Sequence, residues 1–266
     1  MAHPVKGKPP RVGDNPVFRR VLLTFVLVLV GLMIVAPLVV IGVEAFSKGV
    51  AYFGAAIAHP DTRHAIMLTV ITALIAVPIN TAFGVAAAWA ITKHDFPGKR
   101  LLIVIIEIPF SVSPIVAGVA YLFVFGLQGL FGHALQAMEI KILFALPGIV
   151  LASMFVTAPF VARELIPLMQ AQGRDLEEAA TSLGASGWRT FFSVTLPNIK
   201  WALLYGVVLY NSRVMGEFGA VSVVSGNIRG QTNTLPLHIE LLYHDYTAAG
   251  SFAAASILAG LAIVTL

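Results

Sequence analysis

Hydrophobic positions in this chain come in long blocks separated by short polar connections, without the one-sided periodicity of a soluble amphipathic helix. A bilayer core about 30 Å thick takes about 20 apolar residues to cross as a helix. Val21 to Val43 meets that length with no charge and a single hydroxyl, Thr24. Ala65 to Ile91 is a second uncharged block, interrupted by Pro78 and Asn80; Leu101 to Leu127 is a third, carrying Glu107, Pro109 and Pro114. Ile142 to Ala162 is a fourth. A fifth runs from Pro197 through Trp201 and Tyr205 toward Val224, with Arg213 and Glu217 inside it. The sixth, from Ala248, is short for a span, and the pattern predicts that the natural chain continues past Leu266. The expected fold class is therefore all-α: a polytopic membrane protein of about six transmembrane helices, occupying residues 21–266 behind a basic, proline-rich tail at 1–20.

Composition supports that reading. Of 266 residues, 58% are hydrophobic and 11% charged, against about 25% charged in a typical soluble domain. With no cysteine, disulfide scaffolds and thiolate metal sites are excluded. A net charge of +4 would suit a nucleic-acid partner, but the basic residues sort by membrane side, which points to lipid and no nucleic acid. Lys6, Lys8, Arg11, Arg19, Arg20, Lys93, Lys99, Arg100, Arg163, Arg174, Arg189 and Lys200 fall on one side. Lys48, Arg63, Lys141, Arg213 and Arg229 fall on the other. The positive-inside rule then places the N-terminus and the long connection 163–200 in the cytoplasm.

That connection is patterned. Asp175 and Glu178 have capping-box spacing, with Asp175 expected at the N-cap and Glu177 adding to an acidic first turn. Leu176, Ala179, Ala180 and Leu183 make a small apolar stripe, and Gly184 suits a left-handed stop. Ser186 is placed to cap a second turn presenting Trp188, Phe191 and Phe192; Pro197 fits the first turn of the fifth span. A surface helix lying in the headgroup layer is the alternative. Its acidic face argues against that, because anionic lipids favour basic ones.

The residues Glu178-Ala179-Ala180, then three residues, Gly184, nine residues, Val194, one residue and Leu196-Pro197 resemble the EAA loop of bacterial ABC importer permeases. Val194 in place of isoleucine is the sole departure from that pattern. The run Met215 to Glu240 is similar to that of sulfate and molybdate permeases. Within it, Val224-Ser225-Gly226 and Arg229 to Thr234 resemble sulfate/thiosulfate permeases of the CysW type, as do Ile108 to Pro114 and Val116-Ala117-Gly118.

The resemblance implies a type I ABC importer permease fold in the bacterial inner membrane, with 163–200 as the ATPase-coupling loop. It also implies a heteromeric importer of sulfate or thiosulfate: this subunit, a second sulfate permease subunit, two ABC ATPase subunits and a periplasmic sulfate/thiosulfate-binding protein. A molybdate/tungstate permease working as a homodimer is the alternative. The sequence contains no G-x-x-x-x-G-K-[ST], and Gly98-Lys99-Arg100 lacks the flanking residues of one. The chain is therefore expected to be no enzyme and to hold no cofactor, ATP and its magnesium being bound by the partner chains.

Two groups are candidates for the translocation path. Pro109, Ser111, Ser113 and Pro114 predict a kinked, hydroxyl-bearing third span. Arg213 and Glu217, at i and i+4 in the fifth, read equally as a structural ion pair or as a cation facing an anion path beside its counter-charge. Beyond them, Ser225, Asn227 and Arg229 open a donor-rich run that is either an ordinary polar loop or a gate or docking surface. Glu107 reads as hydrogen-bonded to a neighbouring helix. His238 and His244 lack metal-site spacing.

Overall fold

The computed structural model describes residues 16–265, so most of the basic tail lies outside the described residues and its last part, from Pro16, is already helical. The described elements are α1 Val17–Ala45, α2 Val50–Ala58, α3 Pro60–Lys93, α4 Lys99–Ser111, α5 Pro114–Phe125 and α6 Gly132–Ala137. They continue with α7 Leu146–Gln172, α8 Asp175–Ser182, α9 Gly187–Met215, α10 Gly219–Ser225, α11 Leu235–His244 and α12 Ala248–Val264. Four of these, α1, α3, α7 and α9, are long and apolar enough to cross a membrane. In lipid a spanning segment must satisfy its backbone internally, which the helix alone does without partners.

The core is a three-helix contact of α3, α7 and α9. Ala73, Ala76, Val85 and Ala88 of α3 meet Val161, Leu165 and Met169 of α7 and Ile199, Tyr210 and Val214 of α9. Small residues let these backbones close up where no hydrophobic effect drives helices together. A Cβ added to Gly84 would stand 2.7 Å from the Val161 Cβ. Two polar ties cross the same contact: the fully buried Tyr210 hydroxyl donates to the Ala76 carbonyl at 3.0 Å, and Asn80 Nδ2 to the Met154 carbonyl at 2.7 Å. Around this core, α12 packs on α11 and on the second half of α1, while α10 packs on α5 and α7. The first half of α1 stands clear of the bundle, with Phe18, Phe25 and Leu27 exposed.

Three spans differ from the sequence expectation. The third is not one rod: α4 and α5 meet at 109° across Val112-Ser113. Pro109 sits inside α4 without ending it, because its ring disturbs only the preceding turn. Pro114 instead occupies the first turn of α5, where its missing N–H costs nothing. The fourth block runs on to Gln172, so Arg163 lies within helix and not in the connection. The fifth ends at Met215, leaving Glu217 in the joint before α10. Hydropathy reports how apolar a stretch is and says nothing of where it bends.

Candidate functional site

At one end of the bundle α8 lies across the start of α9. Its expected capping box does not form: Arg174 is the N-cap, without a side-chain bond, and Asp175 is already the first helical residue. Asp175, Glu177 and Glu178 instead crowd the first turn, where negative charge meets the positive end of the helix dipole. The stop is as expected. Gly184 has φ +85°, its N–H donates to the Thr181 carbonyl at 2.9 Å, and the Ala185 N–H to the Ala180 carbonyl at 3.0 Å. That pair is a Schellman motif, and a left-handed residue there favours glycine. Ser186 caps the following turn, accepting the Arg189 N–H at 3.4 Å.

What fixes α8 to the bundle is Glu177. Its Oε1 accepts from Lys93 Nζ at 2.9 Å and from Thr195 Oγ1 at 3.1 Å, and the Lys93 side chain is 6% exposed. Lys93 ends α3 and also donates to the Gly173 carbonyl. A second tie runs beside it: Asp95 accepts from Lys99 at 3.0 Å and from Arg174 at 3.2 Å. Hydrogen bonds from these two cations hold the Asp95 carboxyl below its ordinary 3.8. Lys93, Asp95 and Thr195 are not legible as site residues in the sequence, since their ties to Glu177 and Arg174 join segments that no local motif spans. Glu177 is anchored while Asp175 and Glu178 are exposed, and the apolar residues of α8 and of the segment after it lie open. Leu176, Leu183, Trp188 and Phe192 are exposed, Leu183 at 90%. Ala179 is exposed and Ala180 half-buried, while Val194 and Leu196 are half-buried where α9 begins and Pro197 is exposed.

The path candidates divide into two places. Pro114 opens α5 and Gly219 opens α10, and a Cβ on Gly219 would stand 2.8 Å from the Pro114 Cβ. Gly118 comes equally close to Ala220 and Val223, so the two short helices start together and run parallel. The Arg213–Glu217 pair lies at this joint: Nη1 to Oε2 is 2.7 Å, and Glu217 Oε1 accepts the Ala220 N–H at 3.2 Å. Glu217 thus caps α10 while neutralising Arg213. Thr69, Thr72, Ser153 and Thr234 line a small space beside its carboxylate. Pro109 is buried under the bend, whereas Ser111 and Ser113 are exposed on it. Ser225, Asn227 and Arg229 are not part of this group. They sit at the far end of α10, where Asn227 adopts φ +55° and its N–H bonds Ser225 Oγ at 3.2 Å. Arg229 is paired with Asp245.

Residues 80–266 match the family described as the binding-protein-dependent transport system inner membrane component. The chain belongs to that family. Its relatives include the sulfate transport system permease protein CysW of Escherichia coli (strain K12), 55% identical over 234 residues, which are 88% of this chain and 80% of that protein. CysT of the same strain, also named a sulfate transport system permease protein, is 34% identical over 240 residues, 90% of this chain and 87% of CysT. A solved bacterial ABC transporter involved in the import of the acidic polysaccharide alginate shares the fold, with a TM-score of 0.78 at 15% identity over 93% of this chain and 92% of that one. The expected all-helical permease fold is therefore present, and the matched region takes in the α8 knob and both helix breaks. As a member of this family the protein is a multi-pass inner-membrane component.

Proposed function

We propose that this chain is the permease subunit of an ATP-driven importer that carries sulfate across the inner membrane, working beside a second, related permease. The observation that carries the coupling half of this reading is the α8 knob: a tethered helix whose apolar residues, led by Leu183 just past its end, are left uncovered by the described residues. Such a surface suits a cleft on a separate ATPase, and the sequence has no phosphate-binding loop of its own. Sulfate as cargo is supported by the 55% identity to one sulfate permease, and a paired architecture by similarity to two different ones from a single organism.

In this reading the N-terminus and α8 face the cytoplasm and α8 occupies an ATPase subunit. Closure of the ATPase pair around ATP displaces α8, and the Lys93–Glu177 tie passes the displacement to α3. The bundle then alternates between outward-facing and inward-facing states. A periplasmic binding protein delivers the oxyanion, which passes the bend at Ser111, Ser113 and Pro114. Gly184→Asp tests the coupling role. The assembled complex should persist while uptake and binding-protein-stimulated ATP hydrolysis disappear; normal uptake would refute it. Growth with sulfate as sole sulfur source, after deletion of this chain, separates a sulfate importer from a molybdate one.

A further inference from the structure

Arg213, the cation singled out in the sequence, is committed to a carboxylate that is itself 1% exposed. Arg163 is different. It forms no ion pair or hydrogen bond among the described residues, and its guanidinium carbon lies 4.7 Å from the centre of the Phe110 ring. Phe110 also packs on Phe160, one turn before Arg163 on α7. These rings, with Arg163, Glu164, Gly206 and Leu209, line a cavity of about 380 Å³ between α4, α7 and α9 that is open on one side, and Arg163 itself is exposed.

The depth of this cavity is set by helix rise. Phe110 lies ten residues along α4 from Arg100, and Arg163 nine residues before the end of α7 at Gln172. Either count is about 14–15 Å at 1.5 Å per residue. Gly206 lies about 8 Å along α9 from Trp201, whose amphipathic ring suits the membrane interface. A guanidinium at that depth requires water or protein in front of it, since exposure to lipid is costly. Contact with the Phe110 ring uses up none of the guanidinium's N–H donors in a hydrogen bond, and five donors in one plane match an oxyanion.

We infer that Arg163 is the group that contacts the divalent oxyanion on the α8 side of the α4–α5 bend, in the cavity it shares with Phe110 and Gly206. This rests on the sulfate-import reading and adds a specificity-determining residue to it. Glu164 lines the same cavity and the exposed Glu107 lies one turn before Phe110. Their repulsion offsets part of the attraction, so the dianion is met without being held, as conduction requires. Gly206 supplies the room: a Cβ there would rest 3.6 Å from the Glu164 side chain, an ordinary contact, whereas a larger side chain would fill the space.

The test is radiolabelled sulfate uptake into proteoliposomes holding the complete transporter, with stimulated ATP hydrolysis measured in parallel. Arg163→Gln should lower uptake about tenfold or more, the scale of one lost charge-assisted hydrogen bond, while assembly and stimulated hydrolysis persist. Arg163→Lys should restore a substantial part of the uptake, which a purely structural guanidinium would not allow. Unchanged uptake with Arg163→Gln overturns the inference. Should that variant fail to assemble, Gly206→Leu decides: uptake lost there and kept in Gly206→Ala supports the cavity, and uptake kept in both overturns it. A wild-type complex that moves no sulfate overturns the cargo reading and this inference together; wild-type uptake with an inert Arg163→Gln overturns this inference alone.

Discussion

Individual side chains in this protein are legible when their partners are near in sequence. Gly184 announces its left-handed stop because the helix it ends is only a few residues away, and Arg213 meets Glu217 because only four residues separate them, although the helix ends in between. Glu177 is the contrary case. Its carboxylate is settled by Lys93 and Thr195, which come from other elements. Replacing Lys93 by Met leaves that carboxylate half-buried without its cation, an arrangement that costs about 3 kcal/mol in comparable sites. The expected result is a loosened α8, read as faster proteolysis between Gly173 and Ser186 and lower stimulated ATP hydrolysis. Asp95 makes a weaker, exposed tie. Because its folded pKa is lowered, its contribution is complete above the ordinary carboxylate value and fades only as pH falls through the lower, folded one. Asp95→Asn should therefore leave the pH profile of complex stability, followed by thermal melting, unchanged from about pH 5 to 8.

At the scale of elements, the apolar blocks show that the chain is helical and membrane-spanning but neither how many helices it divides into nor where they break. The third block contains two prolines, and only one of them stands at the bend. Pro109 is absorbed by α4, while Pro114 begins α5 because Gly219 of α10 packs against it. That choice belongs to packing between segments a hundred residues apart. The same packing yields a prediction. Gly219→Ala puts a methyl 2.8 Å from the Pro114 Cβ, and overpacking of this kind costs about 1–3 kcal/mol. The α5 and α10 starts must then separate, so the assembled transporter should melt earlier and take up less sulfate. Gly206→Ala, with its 3.6 Å contact, serves as the tolerated control in the same assay.

For the whole molecule, the uncovered parts say most. Among the described residues, the first half of α1 and the apolar side of α8 are both uncovered, the one on a span-length helix and the other on a short connection. The chain contains no cysteine, so Leu183→Cys gives a single thiol on a surface that is 90% exposed. In membranes bearing this subunit alone, a membrane-impermeant maleimide should label it in inside-out vesicles and not in right-side-out ones. Labelling should fall once the ATPase subunits are assembled. Labelling from outside would reverse the topology and remove the coupling role of α8.

The sequence by itself determined that the chain is a bundle of membrane helices, and it marked the family through the spacing from Glu178 to Pro197. Both are local properties: hydropathy is summed along one stretch, and the EAA pattern lies within one connection. Tertiary structure alone decided which charges are committed and which are free. Lys93 is spent on α8, Arg174 is drawn to Asp95, and Arg163 is carried along α7 to an open cavity beside Phe110. A charge in a membrane protein takes its role from depth and partners, and those follow only from how the helices end and pack.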